Sequence, residues 1–327
     1  MVGMSEAVAN TVEKLLLAAP RGYCAGVDRA VQTVERALEI HGPPVYVRKE
    51  IVHNKHVVSQ LRERGAIFVD EQTEAPEGSV CVFSAHGVAP SVRAGAQERG
   101  LLTIDATCPL VTKVHREATR FAAEGYTIVL IGHDGHEEVE GTMGEAPERI
   151  VLVQNEADVD ALEIEDSERV AYITQTTLSV DETSSILARL RERFPHIAGP
   201  RTDDICYATT NRQAAVKQMS DSCDLMLVIG SRNSSNSVRL VEVARDCGTD
   251  AYLIDNAGEV REEWLHGRRV VGISSGASAP DELVQELLAF FRARGVRDIS
   301  EFHVIREDVR FMLPKPVRDS VAAGGAS

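Results

Sequence analysis

The chain has 327 residues, of which 43% are hydrophobic and 26% charged, so it can bury a core and form two or three domains. Its net charge of −15 argues against nucleic acid or an anionic membrane surface as the main partner. No apolar run reaches the roughly 20 residues of a membrane-spanning helix, and the polar beginning MVGMSEAVANTVEK lacks a secretory signal. We therefore expect a soluble, cytoplasmic protein that acts on a small molecule.

Short apolar strands alternate with helical stretches along the chain, a pattern typical of α/β proteins with parallel sheets. In chain order, strands are predicted at 45–47, 67–69, 80–83, 101–104, 127–131, 150–153, 170–174, 225–229, 252–254 and 270–273. The same order of elements occurs three times. We therefore predict a leader over 1–19, α/β units over 20–107, 108–205 and 206–300, and a tail over 301–327. The three units, with small and mostly parallel sheets, are expected to lie in a pseudo-three-fold arrangement around a shared centre.

The cysteines indicate what that centre could hold. They are Cys24, Cys81, Cys108, Cys206, Cys223 and Cys247. The absence of a CxxC pair excludes a zinc ribbon and a thioredoxin-type motif. Cys24, Cys108 and Cys206 each lie where a strand is predicted to run into a helix, whereas the other three are typical of buried thiols. Three thiolates on one axis could hold zinc together with one histidine, or an iron–sulfur cluster with one open iron, and the pattern does not choose between them.

Polar loops follow the predicted strands. In GHDGHEEVEGT, His136 and Glu138 are two residues apart, and an imidazole and a carboxyl beside a metal can deliver protons to a leaving group. SRNSSNS and SSGASAP offer N–H and hydroxyl donors to a phosphate group, although plain turn chemistry is the alternative. His53 and His86 occupy the corresponding loops of the first unit. Without a correctly placed GxGxxG or GxxxxGK[ST], a small phosphorylated ligand is favoured over a nucleotide.

Longer motifs match a known family over residues 20–317. They are PRGYCAGVDRAV, IVHN, SAHGV, DATCPLVTKVH, GHDGHEEVEGTMG, TQTTLSVDET, DDICYATTNRQ, GSRNSSNSVRL and GASAPDELV. With these motifs the chain resembles the 4-hydroxy-3-methylbut-2-enyl diphosphate reductase (LytB) family, which performs the last step of the non-mevalonate isoprenoid pathway. One departure is Glu137, where the family pattern leads us to expect proline. We expect Glu137 to change local stiffness and not the chemistry.

The resemblance implies an iron–sulfur oxidoreductase. A central [4Fe-4S] cluster would be held by Cys24, Cys108 and Cys206, with one iron open. The reaction would be reductive dehydroxylation of (E)-4-hydroxy-3-methylbut-2-enyl diphosphate to isopentenyl and dimethylallyl diphosphate. The electron donor would be a partner such as ferredoxin or flavodoxin with its reductase.

The resemblance also implies roles for individual residues. Glu138 would be the proton source, with His136 and Thr176 near the substrate hydroxyl, so the implied catalytic residues are these three. The implied substrate-binding residues are His53, His86, His136, Thr176, Ser234, Ser235, Asn236 and Ser278.

Two alternatives from other classes stay open. One is a zinc-dependent hydrolase of a small phosphorylated substrate, with zinc on the three cysteines and His136. The other is a non-catalytic diphosphate-binding protein. Anaerobic purification separates the first from the iron–sulfur enzyme, because an iron–sulfur protein is brown and absorbs near about 400 nm, whereas a zinc protein is colourless. A test for turnover with a strong reductant separates the second.

Overall fold

The structure is a computed structural model that describes residues 11–318. Its strands are Lys14–Ala19 (β1), Val45–Arg48 (β2), Ala66–Val69 (β3), Val80–Phe83 (β4), Leu102–Asp105 (β5), Thr127–Ile131 (β6), Ile150–Val153 (β7), Val170–Thr174 (β8), Leu225–Ile229 (β9), Asp250–Ile254 (β10), Val270–Ser275 (β11) and Asp298–His303 (β12). Its helices are Ala25–His41 (α1), Lys55–Glu63 (α2), Pro90–Glu98 (α3), Pro109–Ala123 (α4), Glu137–Met143 (α5), Glu156–Ala161 (α6), Val180–Arg193 (α7), Tyr207–Ser220 (α8), Ser235–Asp246 (α9), Glu262–Leu265 (α10), Asp281–Ala293 (α11) and Lys315–Arg318 (α12). None of the helices described is long and apolar enough to cross a membrane.

The strands form three small sheets in which every pair is parallel. Their strand orders are β10-β9-β11-β1-β12, β3-β2-β4-β5 and β7-β6-β8. Parallel strands covered by helices on both faces read as continuous apolar runs, which is why most strands were visible in the sequence. The predicted α/β class with three small parallel sheets is confirmed.

The described residues divide into two compact units. The smaller unit comprises residues 11–22 and 211–307 and contains the five-stranded sheet. The larger unit comprises residues 23–210 and 308–318 and contains the other two sheets. The predicted division into three units stays a prediction. Most of the predicted leader lies outside the described residues, but its last six residues, 14–19, form β1 and pair with β11 and β12.

The core of the larger unit holds α1 against the four-stranded sheet. Ala30, Val34 and Ala37 recur at helical spacing on one face of α1 and are fully buried in a cluster with β2 and β4. Val317 of α12 is also fully buried in this cluster, so the tail packs on α1. Burying a valine such as Val34 or Val317 stabilises the unit by about 1.5–3 kcal/mol, and each alanine contributes less. The first turn of α1, which begins next to Cys24, is therefore held firmly in place.

The prediction of a strand directly before Cys206 is wrong. Within residues 199–205 the structure has no strand, and Ala198 makes a single parallel bridge with Ala171. A side-chain hydrogen bond joins this segment to β8 where backbone strand pairing was expected. Asp204 Oδ2 accepts it from Thr174 N at 2.9 Å. Cys206 N then donates to Thr176 O at 3.0 Å, so Cys206 is still tied to the end of β8.

Candidate active site

The predicted site residues of the larger unit lie just beyond the carboxyl ends of its strands. His53 follows β2, His86 follows β4 and Cys108 follows β5, and these strands are neighbours in one sheet. His136 follows β6, the central strand of the other sheet, and Thr176 follows β8. Ligands of parallel α/β sheets bind at these strand ends, where loops meet helix N-termini. The fold of this unit therefore gathers chemically active side chains in the expected kind of place.

Each of the three candidate metal ligands lies at the start of a helix. Cys24 is the N-cap of α1, and its Sγ accepts a hydrogen bond from Val27 N at 3.4 Å. Cys108 is the N-cap of α4, and Cys206 directly precedes α8, where its Sγ accepts from Thr209 N at 3.4 Å. Free N–H groups and the positive end of the helix dipole stabilise a thiolate. All three sulfurs thus lie at helix N-termini, a position from which thiolates can bind a metal.

Burial and mutual proximity oppose ionisation of the same sulfurs. Burial, together with the neighbouring Cys24 and Cys206, raises the pKa of Cys108 to about 12. Burial and Cys24 raise the pKa of Cys206 to about 11. These effects show that the three thiols feel one another's charge. A bound cation that takes the place of the protons removes this repulsion, which is how a thiolate metal site gains its affinity.

The spacing of the sulfurs distinguishes between two kinds of metal centre. Within residues 11–318, one group of three His, Cys, Asp or Glu residues has its ligand atoms all within 4.8 Å of one another. That group contains no cysteine. The sulfurs of Cys24, Cys108 and Cys206 are therefore not all within that distance. One tetrahedral zinc with Zn–S bonds of about 2.3 Å holds its sulfurs about 3.8 Å apart. A cluster of several irons, in which each thiolate binds a different iron, holds them farther apart. The three cysteines fit an iron–sulfur cluster better than the zinc alternative with His136.

The three histidines of the larger unit form one aromatic cluster. The rings of His53 and His86 stack with centroids 4.1 Å apart and planes 16° apart. His136 meets both rings edge-on, at 5.4 and 5.8 Å. Burial is the main cause that lowers the pKa of His136 to about 2, and the charges of His86 and His53 lower it further. Its Nδ1 accepts a hydrogen bond from Glu138 N at 3.1 Å, so His136 is neutral and carries its proton on Nε2.

Glu138 and Thr176 form a buried pair. Thr176 N donates to Glu138 Oε1 at 2.6 Å, and Thr176 Oγ1 donates to Oε2 at 2.9 Å. Burial raises the pKa of Glu138 to about 7, although both hydrogen bonds from Thr176 favour the carboxylate. The charge of Glu138 also contributes to the raised pKa of Cys206, so the carboxyl is within electrostatic reach of a candidate metal ligand. A carboxyl that still holds its proton near neutral pH can act as a general acid.

The predicted serine and asparagine residues lie in the smaller unit, beyond the ends of β9 and β11. Ser234 Oγ is 3.3 Å from Ser278 Oγ and accepts from Asn236 Nδ2 at 2.9 Å. Asn236 Oδ1 accepts from Ala277 N at 2.7 Å, which joins the two loops. Ser235 is the first residue of α9, so this cluster lies at a helix N-terminus. The assignment of these residues to the diphosphate stays a prediction.

Comparison with known proteins places the chain in a family. The family model described as LytB protein matches residues 15–292, which is more than half of the chain. The chain belongs to the LytB family.

Individual relatives agree with this assignment over almost their whole length. The chain is 60% identical to the 4-hydroxy-3-methylbut-2-enyl diphosphate reductase of Leifsonia xyli, over 95% of this chain and 92% of the relative. It is 58% identical to the reductase of the same description from Nocardia farcinica, over 97% of this chain and 94% of the relative. The solved structure of E-1-hydroxy-2-methyl-but-2-enyl-4-diphosphate reductase from Plasmodium falciparum superposes with a TM-score of 0.91 at 38% identity, over 95% of this chain and 99% of the other.

LytB proteins use an iron–sulfur cluster, in agreement with the cysteine spacing described above. Gly26 provides a further check on where such a cluster could sit in this LytB member. A Cβ built on Gly26 would lie 2.7 Å from Cys108 Sγ and 3.7 Å from Cys24 Sγ. The first turn of α1 thus leaves room for two sulfurs because it carries no side chain at this position.

Gly26→Ala is therefore expected to reduce the iron content of the anaerobically purified protein strongly, since the new methyl group must displace Cys108 Sγ. The matched control is Gly95→Ala in α3, where the added Cβ meets only the flexible end of Gln72, at 2.9 Å. Alanine is also the better helix former at both positions. Iron and sulfide analysis of the two variants makes the test, and full iron in Gly26→Ala would contradict the placement.

Two carboxylates near the histidines were missed by the sequence interpretation. Glu137 was expected to affect stiffness alone, yet its Oε2 lies 3.0 Å from His86 Nδ1. Glu50 Oε2 lies 3.2 Å from His53 Nδ1. For Glu50, its position three residues before the loop histidine His53 is a weak sequence signal that the two side chains could pair. Nothing in the spacing could have paired residues 86 and 137, because only the packing of two different sheets brings them together.

Proposed function

We propose that this LytB protein is an iron–sulfur oxidoreductase that removes the hydroxyl group of (E)-4-hydroxy-3-methylbut-2-enyl diphosphate and releases isopentenyl and dimethylallyl diphosphate. The observation that carries the proposal is the buried Glu138–Thr176 pair, which holds a proton near neutral pH within electrostatic reach of Cys206, one of the three candidate metal ligands. The reductase names of its close relatives support the substrate and the reaction.

The cofactor in this proposal is a [4Fe-4S] cluster on Cys24, Cys108 and Cys206. The donor set fits, because three thiolates at helix N-termini supply soft ligands with N–H donors and leave one iron without a protein ligand. When bound, the cluster supplies two electrons, one at a time, and a Lewis-acidic iron.

The chain's own residues supply binding and protons. The reaction consumes two electrons and two protons, since the C–O bond breaks, the oxygen leaves as water and one carbon of the allyl group gains hydrogen. Glu138 is protonated below about pH 7 and is the donor we assign to the leaving oxygen, with Thr176 Oγ1 oriented by its hydrogen bond to the carboxyl. His136 offers a neutral Nε2–H donor, which polarises an oxygen without adding charge.

The histidine pair is proposed to bind the diphosphate. His53 and His86 have stacked rings at the ends of neighbouring strands, and both are only 12–14% exposed. Holding the diphosphate fixes the distant end of the substrate, so its binding energy can orient the hydroxyl group at the reacting end.

The electron donor is proposed to be a small redox protein of the ferredoxin or flavodoxin type with its reductase. The cytoplasm is the proposed location, because thiolates that hold iron require a reducing compartment.

The test is turnover under anaerobic conditions. The purified protein, with iron and sulfide measured first, is mixed with the allylic diphosphate and a chemical reductant. The expected result is a brown protein that forms both isoprenyl diphosphates. A protein with full iron that binds the substrate without forming either product would contradict the proposal in favour of a non-catalytic binding protein.

A further inference from the structure

Two of the candidate metal ligands are preceded by backbone that belongs to no strand or helix. These stretches are residues 106–107, before Cys108, and residues 199–205, before Cys206. Backbone outside a ladder must find its hydrogen-bond partners elsewhere. In both stretches, carbonyl oxygens close to the cysteine are bound by one cationic side chain. That side chain belongs to the helix that begins at the previous candidate ligand.

Arg29 is the first of these cations. It lies on α1, five residues after Cys24. Its Nη1 donates to Ala106 O at 2.9 Å and to Thr107 O at 3.0 Å. Thr107 directly precedes Cys108. One planar guanidinium therefore fixes the two peptide groups that lead into this cysteine.

Lys113 is the second cation. It lies on α4, five residues after Cys108. Its Nζ donates to Thr202 O, to Asp203 O at 2.8 Å and to Asp204 Oδ1 at 2.9 Å. An ammonium group has three N–H donors, so these acceptors can use all of them. The irregular segment before the third cysteine is therefore gathered around one positive charge.

This segment is joined to the active site through the end of β8. Asp204 is buried, and its Oδ2 accepts from Thr174 N at 2.9 Å. Cys206 N donates to Thr176 O at 3.0 Å, and Thr176 also donates to Glu138. A shift of the segment would therefore reach a candidate metal ligand and, through Thr176, the proposed proton donor.

The smaller unit contains a contact of the same kind. Arg212, six residues after Cys206, donates to Gly22 O from Nε at 3.2 Å and from Nη2 at 2.6 Å. Gly22 lies two residues before Cys24. The side chain of Arg212 is buried, and Glu307 Oε1 accepts from its Nη1 at 3.0 Å. A cation that follows one cysteine and binds the backbone before another thus recurs within the described residues.

We propose that Arg29 and Lys113 are positioning residues of the metal centre, each of which fixes the backbone that leads into the next of the three cysteines. A cation suits this task because it binds several carbonyl oxygens at once, through charge-assisted hydrogen bonds. Held in this way, the sulfurs keep their places although no strand orders the backbone directly before them. The inference rests on the proposed function, because it takes the three cysteines as ligands of one cluster.

The rate at which a chelator removes iron from the anaerobically purified holoprotein tests the inference. Lys113→Met keeps most of the length of the side chain but has no donor, so residues 202–204 are no longer held and Cys206 leaves the cluster more often. Iron release should be about tenfold faster or more, the effect of losing one charge-assisted hydrogen bond. The control is Lys315→Met, a change at an exposed lysine of α12, which should release iron at the unaltered rate.

A double variant separates positioning from simple destabilisation. Lys113→Met alone leaves the buried carboxylate of Asp204 without its cation, which is strongly destabilising. Combining Lys113→Met with Asp204→Asn removes that charge, while the asparagine Oδ1 can still accept from Thr174 N. Thermal unfolding of the double variant should be close to that of the unaltered protein. Its iron release should stay fast, because Thr202 O and Asp203 O still lack their donor.

Electron paramagnetic resonance gives a second readout, because the spectrum of the reduced cluster reports the geometry of its ligands. The spectrum should change in Lys113→Met and in Arg29→Met, and it should stay unaltered in Lys315→Met. Spectra that stay the same in the first two variants would overturn the inference.

The chelator experiment also separates this inference from the proposed function. Iron release at the unaltered rate in the double variant would overturn the role of Lys113, since its ammonium would then only neutralise Asp204. An unaltered protein without iron would overturn the cofactor assignment and this inference with it. Fast iron release by the variants of a protein that does not turn over the allylic diphosphate would support the positioning role and overturn the proposed reaction.

Discussion

Cys108→Ser should abolish both the bound iron and the turnover while leaving the fold in place. A hydroxyl is a poor ligand for iron, and Cys108 is one of three proposed thiolates, so its loss leaves too few ligands for a stable cluster. The local structure should survive, because serine is a preferred N-cap and Cys108 is the N-cap of α4. The measurement is iron and sulfide content together with absorbance near about 400 nm after anaerobic purification.

Cys81→Ser is the strict control for this experiment. Cys81 lies in β4 and is fully buried, so a hydroxyl there costs about 1–3 kcal/mol of stability. If iron were lost merely because the protein is destabilised, Cys81→Ser would lose it as well. Cys81→Ser with full iron beside an iron-free Cys108→Ser would assign the ligand. An iron-replete Cys108→Ser would remove Cys108 from the metal site.

The central strands of the sheets were predictable because they are buried almost along their whole length, as β4, β6 and β9 are. β4, β6, β7, β8 and β9 have the predicted bounds, since each is an apolar run between polar turns. β12 was missed because Asp298–His303 is a half-exposed edge strand with polar residues and no apolar run. α5 was taken for a loop, because its seven residues are too few for a helical period and follow two glycines.

The positions of the three cysteines at helix starts were predictable, but the predicted repeat of strand, cysteine and helix is not what they share. All three do cap helices, but the strand before Cys24 pairs within the sheet of the smaller unit, and no strand precedes Cys206. What the three positions share is the helix N-terminus, and that is the part of the pattern that carries chemistry. The carboxylates Glu50 and Glu137 were not predictable as partners of the histidines, because such contacts arise from packing and leave no periodic signal.

Glu138→Gln should lower turnover by about 10²–10⁴-fold while iron content and pyrophosphate affinity stay close to normal. Glutamine keeps the shape of the side chain and can still accept from Thr176 N, so the local structure is retained. It cannot release a proton to the leaving oxygen. The measurement is the single-turnover rate with excess reductant, and the control is Glu140→Gln, a change at an exposed glutamate of α5. Near-normal turnover in Glu138→Gln would exclude this carboxyl as the proton donor.

The pH profile tests the same assignment without removing the group. Burial raises the pKa of Glu138 to about 7, so the carboxyl holds its proton below that pH and loses it above. Turnover by the unaltered protein should therefore be constant below about pH 7 and fall by about tenfold per pH unit above it. Thr176→Val removes an O–H donor that favours the carboxylate, so the pKa of Glu138 should rise and the decline should begin at higher pH. A decline that stays at the same pH in Thr176→Val would show that a group other than Glu138 controls it.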